Sequence, residues 1–272
     1  MPGTMFTDIR HFDSIDSTNR YLLDQARSGA PGGVVAVADH QSAGRGRLGR
    51  RWEAPPGSNL LISVLLRPDL PDGHRHLAGA VVALAATDAV MSRCGLALGI
   101  KWPNDLHAPD GRKVAGVLAE ADLGATGPAG LAPIVVGVGI NTNWPGSDAD
   151  LPPEFTGSAT SLRQVLGRPV DRSGLLESLL AALEPRAADL GSPSGRERQA
   201  ADLASRCTTV GTRVRVQLPG EWFQGTATGV TAEGHLVVDH GARVRTVVAG
   251  DVIHVRPGSG VLHAHGCSPD AE

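Results

Sequence analysis

Aromatic side chains are scarce: Trp, Tyr and Phe together make up 3% of the 272 residues. Apolar residues still reach 41%, so a sizeable core is possible, built on Leu, Val, Ile and Ala rather than on rings. Cysteine is nearly absent. Cys94, Cys207 and Cys267 are odd in number and far apart. That excludes a C-x-x-C metal site and a disulfide framework, and places the chain in a reducing cytoplasm. No excess of positive charge is present. The formal net charge is −3, which excludes a whole-protein basic field for nucleic acid, so any anion site must be local. The N-terminus has no long apolar run and is neither a signal peptide nor a membrane anchor. The run Leu77 to Met91 is interrupted by Thr87 and Asp88, too short and polar for a bilayer span, and reads as a buried helix. No internal repeat is visible.

The segments present read as an α+β chain. "SIDSTNRYLLDQARSG" has a helix start at Ser17 or Thr18, an inner face of Leu22, Leu23 and Ala26, and a stop at Gly29. "GVVAVADHQ" and the continuously apolar "SNLLISVLLRP" read as strands, the second covered on both faces. "LALGIKW", ending in the turn "PND", then "RKVAGVLAEAD" and "APIVVGVGINTN" are further strands. After a proline-rich loop at 145–157 come two or three helices. The clearest carries Leu175, Leu176, Leu179, Leu180 and Leu183 at helical spacing. From Val210 to Val255, short alternating segments with Gly-bearing turns predict a small all-β barrel. The chain thus divides into 1–207, 208–256 and a 257–272 tail expected to be disordered.

Four stretches carry candidate chemistry. "STN", Ser17 to Asn19, is a plain helix N-cap or a polar grip at a helix N-terminus. "GRGRLGRR", residues 44–51, packs four arginines and three glycines into eight positions, followed by Trp52. A solvated loop and a nucleic-acid arm are the plain alternatives. Its place between two buried strands favours a glycine-hinged loop whose arginines close over phosphates. "KWPND" puts Lys101 at a strand end, where sites of sheet proteins cluster. Lys113 follows, with Gly116 inside a strand, a sign of close approach. In "VVGVGINTN", Gly137 and Gly139 leave a slot on one strand face, closed by Asn141. No third glycine opens a helix, so a dinucleotide fingerprint is a poor fit.

In this order, S-T-N, G-R-G-R-x-G-R-x-W, K-W-P-N-D, K-x-A-G-x-L-x-E and G-x-G-x-N, the set resembles the biotin protein ligases, by motif over residues 13 to about 144. The resemblance implies a mixed β-sheet flanked by helices, of the class II synthetase-like biotin/lipoate ligase type, with a C-terminal SH3-like barrel. It implies an ATP-dependent ligase that makes biotinoyl-5′-AMP and passes biotin to a lysine of the biotin carboxyl carrier domain of acyl-CoA or pyruvate carboxylases. Biotin and ATP are the substrates, with Mg²⁺. By the same resemblance, Lys101, Arg45 and Arg47 are catalytic. Ser17, Thr18, Asn19, Gln41, Arg45, Gly46, Arg47, Lys101 and Gly116 bind biotin, Gly116 giving its ureido ring room. Arg47, Arg50, Trp52, Asn104, Lys113 and Asn141 bind ATP or the adenylate, and Asn141 is the candidate Mg²⁺ donor. Only 12 residues precede Asp13, too few for the helix-turn-helix that some members carry, so no nucleic-acid or membrane partner is expected. The R-R-x-S-G-G-G stretch of lipoate ligases is missing. Monomer and weak homodimer both stay open, as does the division of work between Lys101 and Lys113.

Overall fold

A computed structural model describes residues 5–122, 131–241, 243–248 and 250–255. The tail expected to be disordered lies outside them.

Seven strands form the first sheet: β1 (Ile9–Phe12), β2 (Val35–Ala38), β3 (Leu60–Leu66), β4 (Gly99–Lys101), β5 (Asp105–His107), β6 (Lys113–Ala121) and β7 (Ile134–Ile140). Their order is β1-β2-β3-β7-β6-β5-β4, with β1 and β2 parallel and the other neighbours antiparallel, so the sheet is mixed as expected. Two strands escaped the sequence reading. In β1, "IRHF", no residue is buried, and in β5, "DLH", only one is, so neither shows an apolar run.

One face of the sheet buries Leu60, Ile62, Val64, Val136, Val138 and Ile140 against α2 (Leu77–Cys94), α4 (Arg172–Asp189) and α5 (Pro193–Arg206). All five leucines at helical spacing in α4 are buried. By length and composition α2 passes for a membrane span, yet it is mostly buried inside the protein. Its two polar interruptions explain themselves. Asp88 holds Arg186 at 2.7 Å and Arg206 at 2.6 Å, and Arg206 also donates to Thr87 Oγ1, tying the three helices together.

The other face is only partly covered. α1 (Thr18–Arg27) packs Leu22 and Ala26 on Val34, Ala36, Leu65 and Val135. Ser17 is its N-cap, accepting from Arg20 N, and Gly29 just beyond its end takes φ +85°. A short helix, α3 (Leu162–Leu166), adds the buried Leu162 to the core of the first face.

The second sheet holds β8 (Arg213–Leu218), β9 (Glu221–Val230), β10 (Leu236–Asp239), β11 (Val244–Val247) and β12 (Asp251–His254), all antiparallel, in the order β11-β10-β9-β8-β12. The closed barrel expected from the sequence is not found among the described residues: β11 and β12 are the two edges and do not pair. Each is four residues long. Closing a barrel needs enough strand length to carry the register shear around the ring. The sheet's core receives Trp102 of the first domain, 2% exposed, whose indole donates to Gly234 O at 3.0 Å.

Candidate functional site

Strand register decides which residues share the half-open face, because side chains in one row across a sheet point the same way. One row runs Lys101–Asp105–Gly116–Gly139–Leu61–Ala38. The next runs Leu118–Gly137–Ser63–Ala36, and the third runs Glu120–Val135–Leu65. α1 covers the third row and reaches the second at Ala36 and Gly137, and the glycines of the first two rows floor a slot beside it.

A buried polar chain lines the α1 side of the slot. Thr18 N donates to Gln41 Oε1 at 2.9 Å, and Thr18 Oγ1 sits 2.6 Å from Ser63 Oγ. Ser63 donates to Asn19 Oδ1 at 2.6 Å, and Asn19 Nδ2 donates to Glu120 Oε2 at 2.8 Å. Glu120 in turn accepts from Arg45 at 3.0 Å. The N-terminal cluster is therefore more than a cap: Ser17, Thr18 and Asn19 are all buried, and Thr18 and Asn19 bond to the sheet. Ser63 went unnoticed in the sequence, and Glu120 stood there only as the last letter of K-x-A-G-x-L-x-E, with no role given. The signals were there, a lone serine inside "LLISVLL" and an acid closing "VLAE".

The glycines sort differently from expectation. A methyl group on Gly137 would collide with Asn19 Oδ1, so Gly137 is the one that makes room beside the polar chain. Gly116 belongs to the Lys101 row. A methyl there would sit 3.1 Å from both the Trp52 ring and Lys113 Nζ, and one on Gly139 would sit 2.5 Å from the ring. Trp52 thus lies flat over the glycine floor. Its indole nitrogen is buried with no hydrogen-bond partner among the described residues.

The two lysines differ. Lys113 is neutralised by Asp105 at 2.7 Å and lies 5.4 Å from the Trp52 ring centroid. Lys101 has no ion pair or hydrogen bond through its ammonium among the described residues. Burial pushes the neighbouring His107 imidazole down to about 4, with help from Lys101 and Lys113 and against Asp105. Burial lowers His254 too, again with Lys101 nearby. Both shifts favour the neutral imidazoles beside Lys101.

The Arg/Gly loop is a closed hairpin. Gly46 N donates to Arg50 O, Trp52 N donates to Gly44 O, and Leu48 takes φ +58° at its tip, 70% exposed. Each candidate arginine rests on a protein acceptor. Arg45 is on Glu120. Arg47 donates to Asn104 Oδ1 and Gly250 O, and Arg50 pairs with Asp251 at 2.8 Å. Burial lowers the Arg47 pKa, opposed by Asp251 and Asp105. A cleft of about 540 Å³ opens between residues 43–51, Leu118 and Glu120. Asn104 also donates to Val117 O, which fixes the Lys101 turn on β6.

Asn141 is tied into the framework: its Nδ2 donates to Thr160 O and its Oδ1 accepts from Asn59, with one lone pair of that oxygen left over. No group of three His, Cys, Asp or Glu side chains converges among the described residues. The side chains therefore do not fit a resident Mg²⁺ ion.

Comparison with known proteins agrees with this layout. Residues 11–141 match the biotin/lipoate A/B protein ligase family, and residues 209–255 match the biotin protein ligase C-terminal domain. A biotin--[acetyl-CoA-carboxylase] ligase of Mycobacterium tuberculosis is 37% identical over 246 residues, covering 88% of this chain and 86% of its own. This chain belongs to the biotin protein ligases. A Paracoccus denitrificans protein of the same name is 32% identical over 239 residues, 87% of this chain and 96% of its own. Among solved structures, biotin protein ligase from Aquifex aeolicus in complex with biotin and ATP aligns with a TM-score of 0.77 at 25% identity, over 93% of this chain and all of that one.

Proposed function

We propose that this ligase joins biotin to ATP, giving biotinoyl-5′-AMP and pyrophosphate, and then transfers the biotinoyl group to one lysine of a biotin carboxyl carrier domain. The observation that carries this reading is the register row. It aligns the unpaired Lys101 with a glycine floor, one row from the Thr18–Ser63–Asn19 chain and under a loop of arginines.

In the first step a biotin carboxylate oxygen attacks the α-phosphorus of ATP and pyrophosphate leaves. Two anions must meet, so cations in a low-dielectric slot supply much of the barrier reduction. Lys101 bridges the carboxylate and the α-phosphate. Arg45 and Arg47 exchange their protein acceptors for ligand oxygens, and Arg50 reaches the triphosphate. Trp52 leaves the floor and packs on the adenylate, while Lys113 and Asn104 border the nucleotide. The ureido ring of biotin is read by Ser17, Thr18, Asn19 and Gln41. Mg²⁺ enters with ATP as part of that substrate, and no step is assigned to a metal held by the protein. In the second step the carrier lysine attacks the acyl carbon and AMP leaves, so the ligase itself needs no nucleophile. Closing the hairpin shields the acyl phosphate from water.

Incubation with biotin, MgATP and an apo carrier domain tests the reading. The carrier gains the mass of one biotinoyl group. No gain on a carrier with an intact lysine overturns it.

A further inference from the structure

The chain from Thr18 to Glu120 carries a direction as well as a position. Asn19 faces two oxygens with no proton to give, Leu118 O at 3.2 Å and the Glu120 carboxylate at 2.8 Å. Only the amide nitrogen fits there, so Asn19 Oδ1 points at Ser63, and Ser63 Oγ donates to it at 2.6 Å. Ser63 has one proton, and that bond uses it. The 2.6 Å contact between Ser63 and Thr18 is then made with the proton of Thr18. Thr18 Oγ1 keeps lone pairs and has no spare proton; its 3.1 Å approach to Gln41 Oε1 is the longer arm of the same donation. The three residues are 0–4% exposed, so solvent does not scramble this order.

The opposite order is built from the same atoms. With the Asn19 amide turned over, its nitrogen donates to Ser63, Ser63 donates to Thr18, and Thr18 gives its proton to Gln41 Oε1, 3.1 Å away. Leu118 O engages only one of the two amide N–H groups. Glu120 engages the second, and its charge makes that the stronger hold.

We propose that Glu120 is a positioning residue. By pinning the Asn19 amide it sets the proton order through Ser63, so that Thr18 meets the ligand as an acceptor. This rests on biotin being the ligand, as argued above. A ureido ring offers two N–H donors and one carbonyl. An accepting Thr18 suits an N–H, and the Gln41 Nε2 donors, free of partners among the described residues, suit the carbonyl. The reversed order would spend one of the two Thr18 lone pairs on the Ser63 proton and leave a poorer acceptor for that N–H.

Biotin affinity measured by calorimetry on the whole protein tests this with Glu120→Ala and Glu120→Gln. The glutamine keeps an acceptor for Asn19 but loses the charge that faces Arg45. We expect Glu120→Ala to weaken biotin about tenfold, and Glu120→Gln to stay within about threefold of the parent. Parental biotin affinity in Glu120→Ala removes the role altogether. A glutamine variant as weak as the alanine one moves the effect to the Arg45 ion pair and overturns the proton-order argument. The ligand-free melting temperature is the fold control. If the alanine variant does not fold, a tenfold loss in Glu120→Gln by itself overturns the proposal, and a loss within threefold supports it. A parent that binds no biotin overturns it too, whereas a parent that binds biotin but labels no carrier overturns only the transfer reading.

Discussion

Thr18, Asn19 and Ser63 form one wall of the slot and are 0–4% exposed, linked by bonds of 2.6–2.8 Å. The facing wall is the Arg/Gly hairpin, where the paired side chains of Arg45 and Arg50 are 44% and 60% exposed. Exposed pairs of this kind contribute about 0–1 kcal/mol each, while a buried polar chain loses far more when one member is left unsatisfied. The difference separates two jobs. The buried wall is preformed and can discriminate the shape and hydrogen bonding of a neutral group. The exposed wall is held by acceptors that a phosphate can replace at little cost, so it can move.

The largest expected effect comes from Lys101, whose ammonium has no partner among the described residues. Lys101→Ala should slow adenylate formation about 10²–10³-fold in single-turnover assays, with the melting temperature near the parent's because the ammonium has no partner to lose. A loss no larger than that of Lys113→Ala would return both lysines to equal standing. Gly137→Ala tests the rigid wall by driving a methyl group into Asn19 Oδ1. It should cost about 1–3 kcal/mol of stability and weaken biotin measurably in calorimetry. Unchanged biotin affinity would detach the polar chain from the ligand. Arg47→Ala tests the mobile wall. The fold should stay intact while biotinoyl-AMP escapes about tenfold faster in an intermediate-release assay. Retention equal to the parent's would end the lid argument. The smallest effect belongs to Asp251→Asn, which removes only the resting partner of Arg50. Adenylate release should change less than about threefold. A larger change would make the C-terminal sheet a working part of the lid rather than its rest.

Local signals in the chain went a long way. The Ser17 cap, the leucine spacing of α4 and the both-faces-buried β3 follow from nearest-neighbour chemistry, and the structure has each of them. The short strands β1 and β5 were illegible because β1 is an edge strand that buries no side chain and β5 is three residues long and buries one. Site membership was legible only where a residue type was unusual in its surroundings. Arginine beside glycine stands out, as does lysine after "LALGI". Ser63 and Glu120 do not, since one polar residue in or after an apolar strand is ordinary, and their meaning comes from partners 44 and 101 residues away at Asn19.

By itself, the sequence determined the family and the chemical kinds at the site: a hydroxyl and amide cluster, an arginine hinge, a strand-end lysine. Tertiary structure alone decided which of these meet. Register put Gly137 rather than Gly116 beside Asn19, and brought Asp105 to Lys113 while leaving Lys101 free. It tied Asn141 into the framework and rested Arg50 on Asp251, 201 residues away. The physical reason is common to all of these. Residue types are fixed position by position, but partners, burial and the direction of a shared proton are set by strand pairing between distant segments.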